Sequence, residues 1–306
     1  MRLVFMGTPA FAVPTLDACA AEHEVLFVYT QPDRPKGRGG NLAMSPVKER
    51  ALAVGLPVRQ PLKIRESLND LRDAAPEAIV VVGYGQIIPQ SIIDIPSYAI
   101  LNVHASLLPA YRGAAPIQWA VANGETETGV TIMRIDAGLD TGDILLKQPT
   151  PIEPDETAEE LSERLSVIGA ALLVRALKER PIPVSQDHAH ATLARQLTKE
   201  DGRIDWKQLS PVIYNRLRGF TPWPGAWTVF RGLTLRIHGA KPVEGLVPGA
   251  PGTMGVNGGR LLVACGDATA LELLQVQLQG RTRVSAGEFL NGQRFDENER
   301  LGEIAS

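Results

Sequence analysis

Residues 77–85, EAIVVVGYG, carry apolar side chains at successive positions rather than alternate ones. A strand sends neighbouring side chains to opposite faces, so this run must be buried on both. The middle of a parallel sheet, with helices above and below, meets that demand. RLVFM (2–6), EVLFVYT (24–30) and AILNVHA (99–105) read as further strands, and GVTIMRI (129–135) alternates after them. A helical stretch from Ala10 to about Ala21 follows the turn signal Gly7-Thr8-Pro9. Another follows Pro154, where Thr157 and Glu160 form a capping box and Leu161, Leu165, Ile168 and Leu172 share one face.

Strands alternating with helices predict a doubly wound, Rossmann-like α/β domain over residues 1–189. Residues 180–203 are polar and lack periodicity, which predicts a solvated connection, with the linker proper at 190–206. His188 and His190 lie there without a Cys or carboxylate partner at metal-binding spacing, so no metal is expected. From residue 207 the character changes. A short helix opens at Ser210-Pro211 and runs through Arg218. AWTVF (226–230), LTLRIHG (233–239), RLLVACG (260–266) and ALELLQVQL (270–278) follow as short β runs. Gly-rich turns such as Asn257-Gly258-Gly259 separate them, and Ser285 and Glu288 cap a last short helix. This pattern predicts a small β-barrel or sandwich over 207–306.

The chain has 306 residues, enough to bury an ample core without staples. Cys19 and Cys265 fit no metal spacing and no disulfide framework, and read as buried thiols in a reducing compartment. The apolar run before Gly7 is too short for a signal segment, and no stretch approaches a membrane span. A soluble, cytoplasmic monomer is the expectation. Residues 203–306 carry 12 Lys/Arg against 9 Asp/Glu, whereas residues 1–202 carry 19 against 25. That asymmetry suits a C-terminal part that meets an anion and equally a chance distribution, and net charge alone does not decide between them.

The chemistry concentrates in LNVHASLLPAYRGAAPIQWA (101–120). Asn102 and His104 lie two apart at the end of a predicted strand, hence on one face and at an edge where α/β sheets bind ligands. Ser106 to Pro109 offer an apolar wall with a few polar points, the usual lining of a small-molecule pocket. DAGLDTGD (136–143) adds Asp136, Asp140 and Asp143 in a turn that Gly138 and Gly142 make tight. An amide, an imidazole and an acid suit acyl-type transfer. The amide steadies a developing oxyanion, worth about 10²–10³ in rate. The imidazole moves protons, worth roughly 10²–10⁴. No G-x-S-x-G elbow is present, so direct transfer between two bound substrates is the economical reading.

With N-x-H, S-L-L-P, R-G-x-x-P and L-D-T-G-D in this order, the chain resembles the folate-dependent formyltransferase family. The resemblance implies a catalytic trio at Asn102, His104 and Asp140. It implies 10-formyltetrahydrofolate as donor, with Ser106, Leu107, Leu108 and Pro109 at its site. The pterin is expected near Gln86, Ile87 and Ile88 and near Asp136, and the second domain is expected to be OB-like.

MGTPAFA (6–12), TQPDRPKGRGGNLAMSPVK (30–48) and FTPWPGAWT (220–228) extend the resemblance over nearly the whole chain. They resemble family members that formylate the amino group of methionine carried on initiator tRNA, for translation initiation. In those members the second domain helps hold tRNA and the 30–48 loop reaches the acceptor end. Arg34, Lys36, Arg38 and Lys48 oppose a single acid, Asp33, in that loop, which suits phosphate contacts. Arg38 is the foremost candidate. The alternative is a UDP-amino-sugar formyltransferase, expected to lack P-D-R-P-K-G-R-G and L-D-T-G-D in these forms. A purine-pathway formyltransferase would leave the C-terminal hundred residues unexplained. A nicotinamide dehydrogenase is disfavoured because the first turn lacks G-x-G-x-x-G. A non-catalytic RNA binder would have no use for the trio.

Overall fold

The computed structural model describes residues 1–35, 42–244, 247–293 and 299–302. Interleaved segments make two compact units. The first comprises Met1–Pro116, Glu127–Pro151 and Glu160–Arg195; the second comprises Ile117–Thr126, Ile152–Glu159 and Gln196–Ser306.

In chain order the elements up to Arg195 are β1 (Arg2–Gly7), α1 (Val13–Glu22), β2 (Glu24–Tyr29), β3 (Arg34–Pro35), β4 (Leu42–Ala43), α2 (Pro46–Ala53), β5 (Val58–Arg59), α3 (Leu68–Ala74), β6 (Ala78–Val82), α4 (Gln90–Ile93), β7 (Ala99–His104), β8 (Arg112–Gly113), α5 (Pro116–Ala122), β9 (Glu127–Arg134), β10 (Ile144–Pro151), α6 (Ala158–Glu179) and β11 (Leu193–Ala194). Seven strands form one sheet in the order β10-β9-β7-β6-β1-β2-β5. The order reverses between β1 and β6, the kind of crevice where α/β sheets receive ligands. The Ala78–Val82 run is fully buried, as its composition requires.

The sheet is mixed rather than wholly parallel. β9 runs antiparallel to β7, and β10 antiparallel to β9. β9 is also buried along its interior rather than on alternate residues. Part of the cover comes from α6. Gly169 lies so close to the sheet that a Cβ there would meet Val103 at 2.7 Å and Val130 at 3.5 Å. Leu161, Leu165 and Leu172 on this helix are buried, consistent with the spacing in the sequence.

Residues 180–203 are not simply a solvated connection. Val184 exchanges backbone hydrogen bonds with Ile144 at 2.8 and 2.9 Å. Gln186 is buried, and β11 pairs in parallel with β8. Tertiary pairing overrides local polarity here, because β8 and β10 each present backbone groups that need partners.

The second unit contains α7 (Ser210–Gly219), β12 (Ala226–Phe230), β13 (Leu233–Val243), β14 (Met254–Asn257), β15 (Arg260–Ala264), β16 (Ala270–Leu278), β17 (Val284–Ser285) and α8 (Ala286–Asn291). The antiparallel order is β12-β13-β16-β15-β14, with β17 on β16. Register shifts at Ile237–Ala240 bend the long β13. The open edges of β14 and β12 are bridged by the segment 299–302. Met254 N donates to Glu299 O at 2.9 Å, Leu301 N to Gly252 O at 2.9 Å, and Gly302 N to Val229 O at 2.8 Å. That closure gives the sheet its barrel character. Trp206, Ile213, Leu217, Phe230, Leu235 and Leu261 contribute to its core, and Trp206 Nε1 donates to Thr228 Oγ1 at 3.0 Å. Ser285 and Glu288 form the capping box of α8.

Candidate active site

β7 carries Asn102 and His104 toward its carboxyl end, with His104 its last residue. His104 is 5% exposed. Its Nε2 lies 3.0 Å from the Tyr111 carbonyl, which can only accept, so Nε2 bears the hydrogen. Nδ1 is thereby the nitrogen that gains or gives up a proton, and it faces Asp140 Oδ2 at 3.7 Å. Asn102 is half-buried, and its carboxamide makes no protein hydrogen bond among the described residues.

Asp140 arrives by a longer route than a parallel strand would give. β9 is antiparallel, so its last residue, Arg134, pairs with Leu101 rather than with His104. The loop to β10 must therefore travel back before Asp140 meets the imidazole. Two observations show how it is held. Asp140 has φ +51°, left-handed and uncommon for a side-chain-bearing residue. Its Oδ2 also accepts from Gly113 N at 2.8 Å. Asp136 closes the start of the same loop. Its Oδ1 accepts from Gly138 N at 3.0 Å and from Thr141 Oγ1 at 2.7 Å.

The Ser106–Pro109 segment is braced from within. Ser106 is fully buried and its Oγ donates to Ala110 O at 2.6 Å. Thr131 Oγ1 donates to Ser106 O at 2.7 Å and accepts from Leu108 N at 3.1 Å. Leu108 is buried against Met133 and Ile144, while Leu107 and Pro109 are half-buried. Lys147 Nζ donates to the Leu108 carbonyl, and desolvation draws that ammonium below the ordinary lysine pKa. Of the four residues proposed to face a ligand, Leu107 and Pro109 are therefore the accessible pair, and Ser106 and Leu108 are anchors of the loop.

After β6, Gln86 fixes its own loop: Oε1 accepts from Ile64 N at 2.7 Å, and Nε2 lies 3.4 Å from the Pro61 and Leu62 carbonyls. Ile88 is buried, whereas Ile87 is 91% exposed. Leu139, beside Asp140, is 64% exposed. Two large apolar side chains left in water on the loops after β6 and β9 fit the reading of a flat, half-apolar ligand.

Among the basic candidates, Lys36 and Arg38 lie outside the described residues. Lys48 Nζ is engaged with Asp33 Oδ2 at 2.6 Å, and Gln60 Nε2 also donates to Asp33 at 2.8 Å. Those two donors hold the Asp33 carboxyl below the usual carboxylate range. Arg34 is exposed. It lines a cavity of about 550 Å³ together with Thr8, Pro9, Gln31, Gly83 and Tyr84, at the ends of β1, β2 and β6.

Sequence reasoning did not single out Thr131, Lys147 or Gln186. Gln186 Nε2 donates to the Asp140 and Gly142 carbonyls at 2.9 and 2.7 Å. Its Oε1 accepts from Arg112. Nothing in the polar stretch around it marks it out. Thr131 sits in a strand whose β-branched residues look alike. Among the described residues no group of His, Cys, Asp and Glu is arranged to hold a metal.

Residues 1–177 match the formyl transferase family, and residues 196–294 match the formyl transferase C-terminal domain. Relatives named methionyl-tRNA formyltransferase include one from Solibacter usitatus, 58% identical over 99% of both chains. Another, from Koribacter versatilis, is 54% identical over 100% of both. Among solved structures, a sugar 3N-formyl transferase crystallised with dTDP and 5-N-formyl-THF superposes with a TM-score of 0.68 at 17% identity, over 92% of this chain and 99% of that one. A methionyl-tRNA formyltransferase from Clostridium thermocellum superposes at 0.59 with 18% identity, over 91% of this chain and 98% of that one. These structures share the fold, and the full-length relatives carry the assignment: the chain belongs to the methionyl-tRNA formyltransferase family.

Proposed function

We propose that this chain transfers the formyl group of 10-formyltetrahydrofolate to the amino group of methionine esterified to initiator tRNA. The observation that carries the chemistry is the meeting of His104 Nδ1 and Asp140 Oδ2 at 3.7 Å, beside an Asn102 amide with no protein partner among the described residues. The relatives at full length support the acceptor. The likeness to a sugar formyl transferase lies at the level of fold, so the amino-sugar alternative has the weaker support.

The donor supplies an activated one-carbon unit. Leu107, Pro109, Ile87 and Leu139 offer apolar surface for its ring, and Asp136 and Gln86 hold the loops that present that surface. Asn102 offers an N–H to the formyl oxygen as charge develops on it. His104 passes its Nδ1 proton to the folate nitrogen, which leaves as its bond to the formyl carbon breaks and the amine bonds to that carbon; the Tyr111 carbonyl retains the hydrogen at Nε2. Asp140 stabilises the protonated imidazole and helps take the proton that the attacking amine loses. The cavity of about 550 Å³ near Arg34 gives the methionyl end of the acceptor strand a place to enter. Arg34, Lys36, Arg38 and Lys48 contact its phosphates, Lys48 after exchanging its Asp33 partner. The barrel of residues 207–306 adds a second tRNA contact. No helix among the described residues is long and apolar enough to cross a membrane. The enzyme acts as a cytoplasmic monomer.

The test is formyl transfer from 10-formyltetrahydrofolate to charged initiator tRNA, run beside a UDP-amino-sugar. Formylation of the tRNA alone is expected. Formylation of the sugar alone replaces this reading with the alternative.

A further inference from the structure

Gln186 is 6% exposed, and both ends of its amide are committed. Oε1 accepts from Arg112 Nε at 3.1 Å and from Arg112 Nη2 at 2.6 Å. Nε2 donates to Asp140 O at 2.9 Å and to Gly142 O at 2.7 Å. The orientation has no alternative, because a guanidinium only donates and a carbonyl only accepts. On its other side Arg112 Nη2 lies 2.9 Å from His188 Nδ1, which must accept for the same reason. The Asp140 side chain is tied to the same place, since Oδ2 accepts from Gly113 N at 2.8 Å. Main chain and side chain of Asp140 are thus both fastened to the Arg112–Gly113 segment, one through Gln186 and one directly. Asp140 has a left-handed φ of +51°, a conformation that costs some backbone energy and that this fastening helps to hold.

We propose that Gln186 is a positioning residue for the transfer. It holds the backbone of the 140–142 turn so that the Asp140 carboxylate stays on His104. The proposal rests on the role given to Asp140 above. Gln186 is buried with both ends of its amide committed, so its effect belongs in kcat and not in binding.

The experiment compares Gln186→Glu, Gln186→Met and Asp140→Ala in the full chain. Gln186→Glu keeps an oxygen acceptor for Arg112 but turns a second oxygen toward two carbonyls, which repel it. The expected result is a kcat about 10–100-fold lower, the scale of a displaced catalytic group. KM for both substrates stays within about threefold, while the melting temperature falls in both Gln186 variants, because buried carbonyls lose their donor. Gln186→Met, similar in size but without donors, gives the same loss and covers the case in which the Glu variant folds poorly. In an Asp140→Ala background, Gln186→Glu changes kcat no further, because the group it positions is gone. Three results overturn the proposal: wild-type kcat in both Gln186 variants, a loss in Met that Glu restores, or an undiminished loss in the Asp140→Ala background. If Asp140→Ala alone keeps wild-type kcat, the role of Asp140 itself fails, which is a separate outcome.

Discussion

The Asp140 carboxylate stands 3.7 Å from His104 Nδ1, within charge contact but beyond a hydrogen bond. Its firm bond goes instead to the Gly113 amide at 2.8 Å. The carboxylate is therefore fixed by the scaffold and left free to respond when the imidazole gains a proton. Asp140→Asn keeps an oxygen for Gly113 N and removes the charge. We expect kcat/KM to fall by about 10²–10⁴, with folate binding unchanged. Steady-state kinetics on charged tRNA check this, and a loss under threefold contradicts it.

Gly113 has φ +120°, and a Cβ there would lie 2.7 Å from the Ala194 carbonyl of β11. Gly113→Ala must strain the backbone or part β8 from β11. Either response also moves the amide that holds Asp140. We expect a loss of about 1–3 kcal/mol in stability together with reduced kcat. Thermal melting and rate are measured on one preparation. An unchanged melting temperature contradicts the packing argument.

Thr131 is fully buried and serves both Ser106 O and Leu108 N. Thr131→Val preserves shape and leaves two main-chain groups without a partner. Each such buried group costs about 1–3 kcal/mol. The urea midpoint should drop accordingly, and the Ser106–Pro109 loop should become more readily cleaved by protease. A midpoint equal to wild type would show that water satisfies the loop.

Glu272 in the barrel is buried beside Arg260, with Lys241 Nζ at 3.4 Å. The hydrogen bond from Arg260 holds its carboxyl below the ordinary glutamate value of 4.5, against the opposing effect of burial. A carboxyl depressed in the folded state stabilises above its unfolded pKa, and loses that contribution as pH falls through the folded one. Glu272→Gln should be less stable than wild type near neutral pH, and the gap should close below pH 4.5. Denaturant melts across this range decide it, and a constant gap rules out the ionic origin.

Much of the architecture is legible in the chain itself. The unbroken apolar run at 78–82 must be covered on both faces, which demands a sheet between helices. Asn102 and His104 share a face by the period of two. Ser285 and Glu288 cap α8 through contacts three residues apart. These are local rules, and the sequence carries them in full.

The direction of β9 is not local. Its residues are equally content parallel or antiparallel, and the choice depends on the partner strand and the path of the loops. That choice sends the 135–143 loop back on itself and makes the left-handed turn at Asp140 necessary. Gln186 shows the same limit from the other side. In sequence it is one polar residue among many; in space its amide joins Arg112 to the Asp140 turn across a gap of more than 40 residues. Short-range periodicity and capping could place Asn102 and His104 on their strand. Bringing Asp140 to them required hydrogen bonds between distant segments, whose partners exist only once the chain has folded.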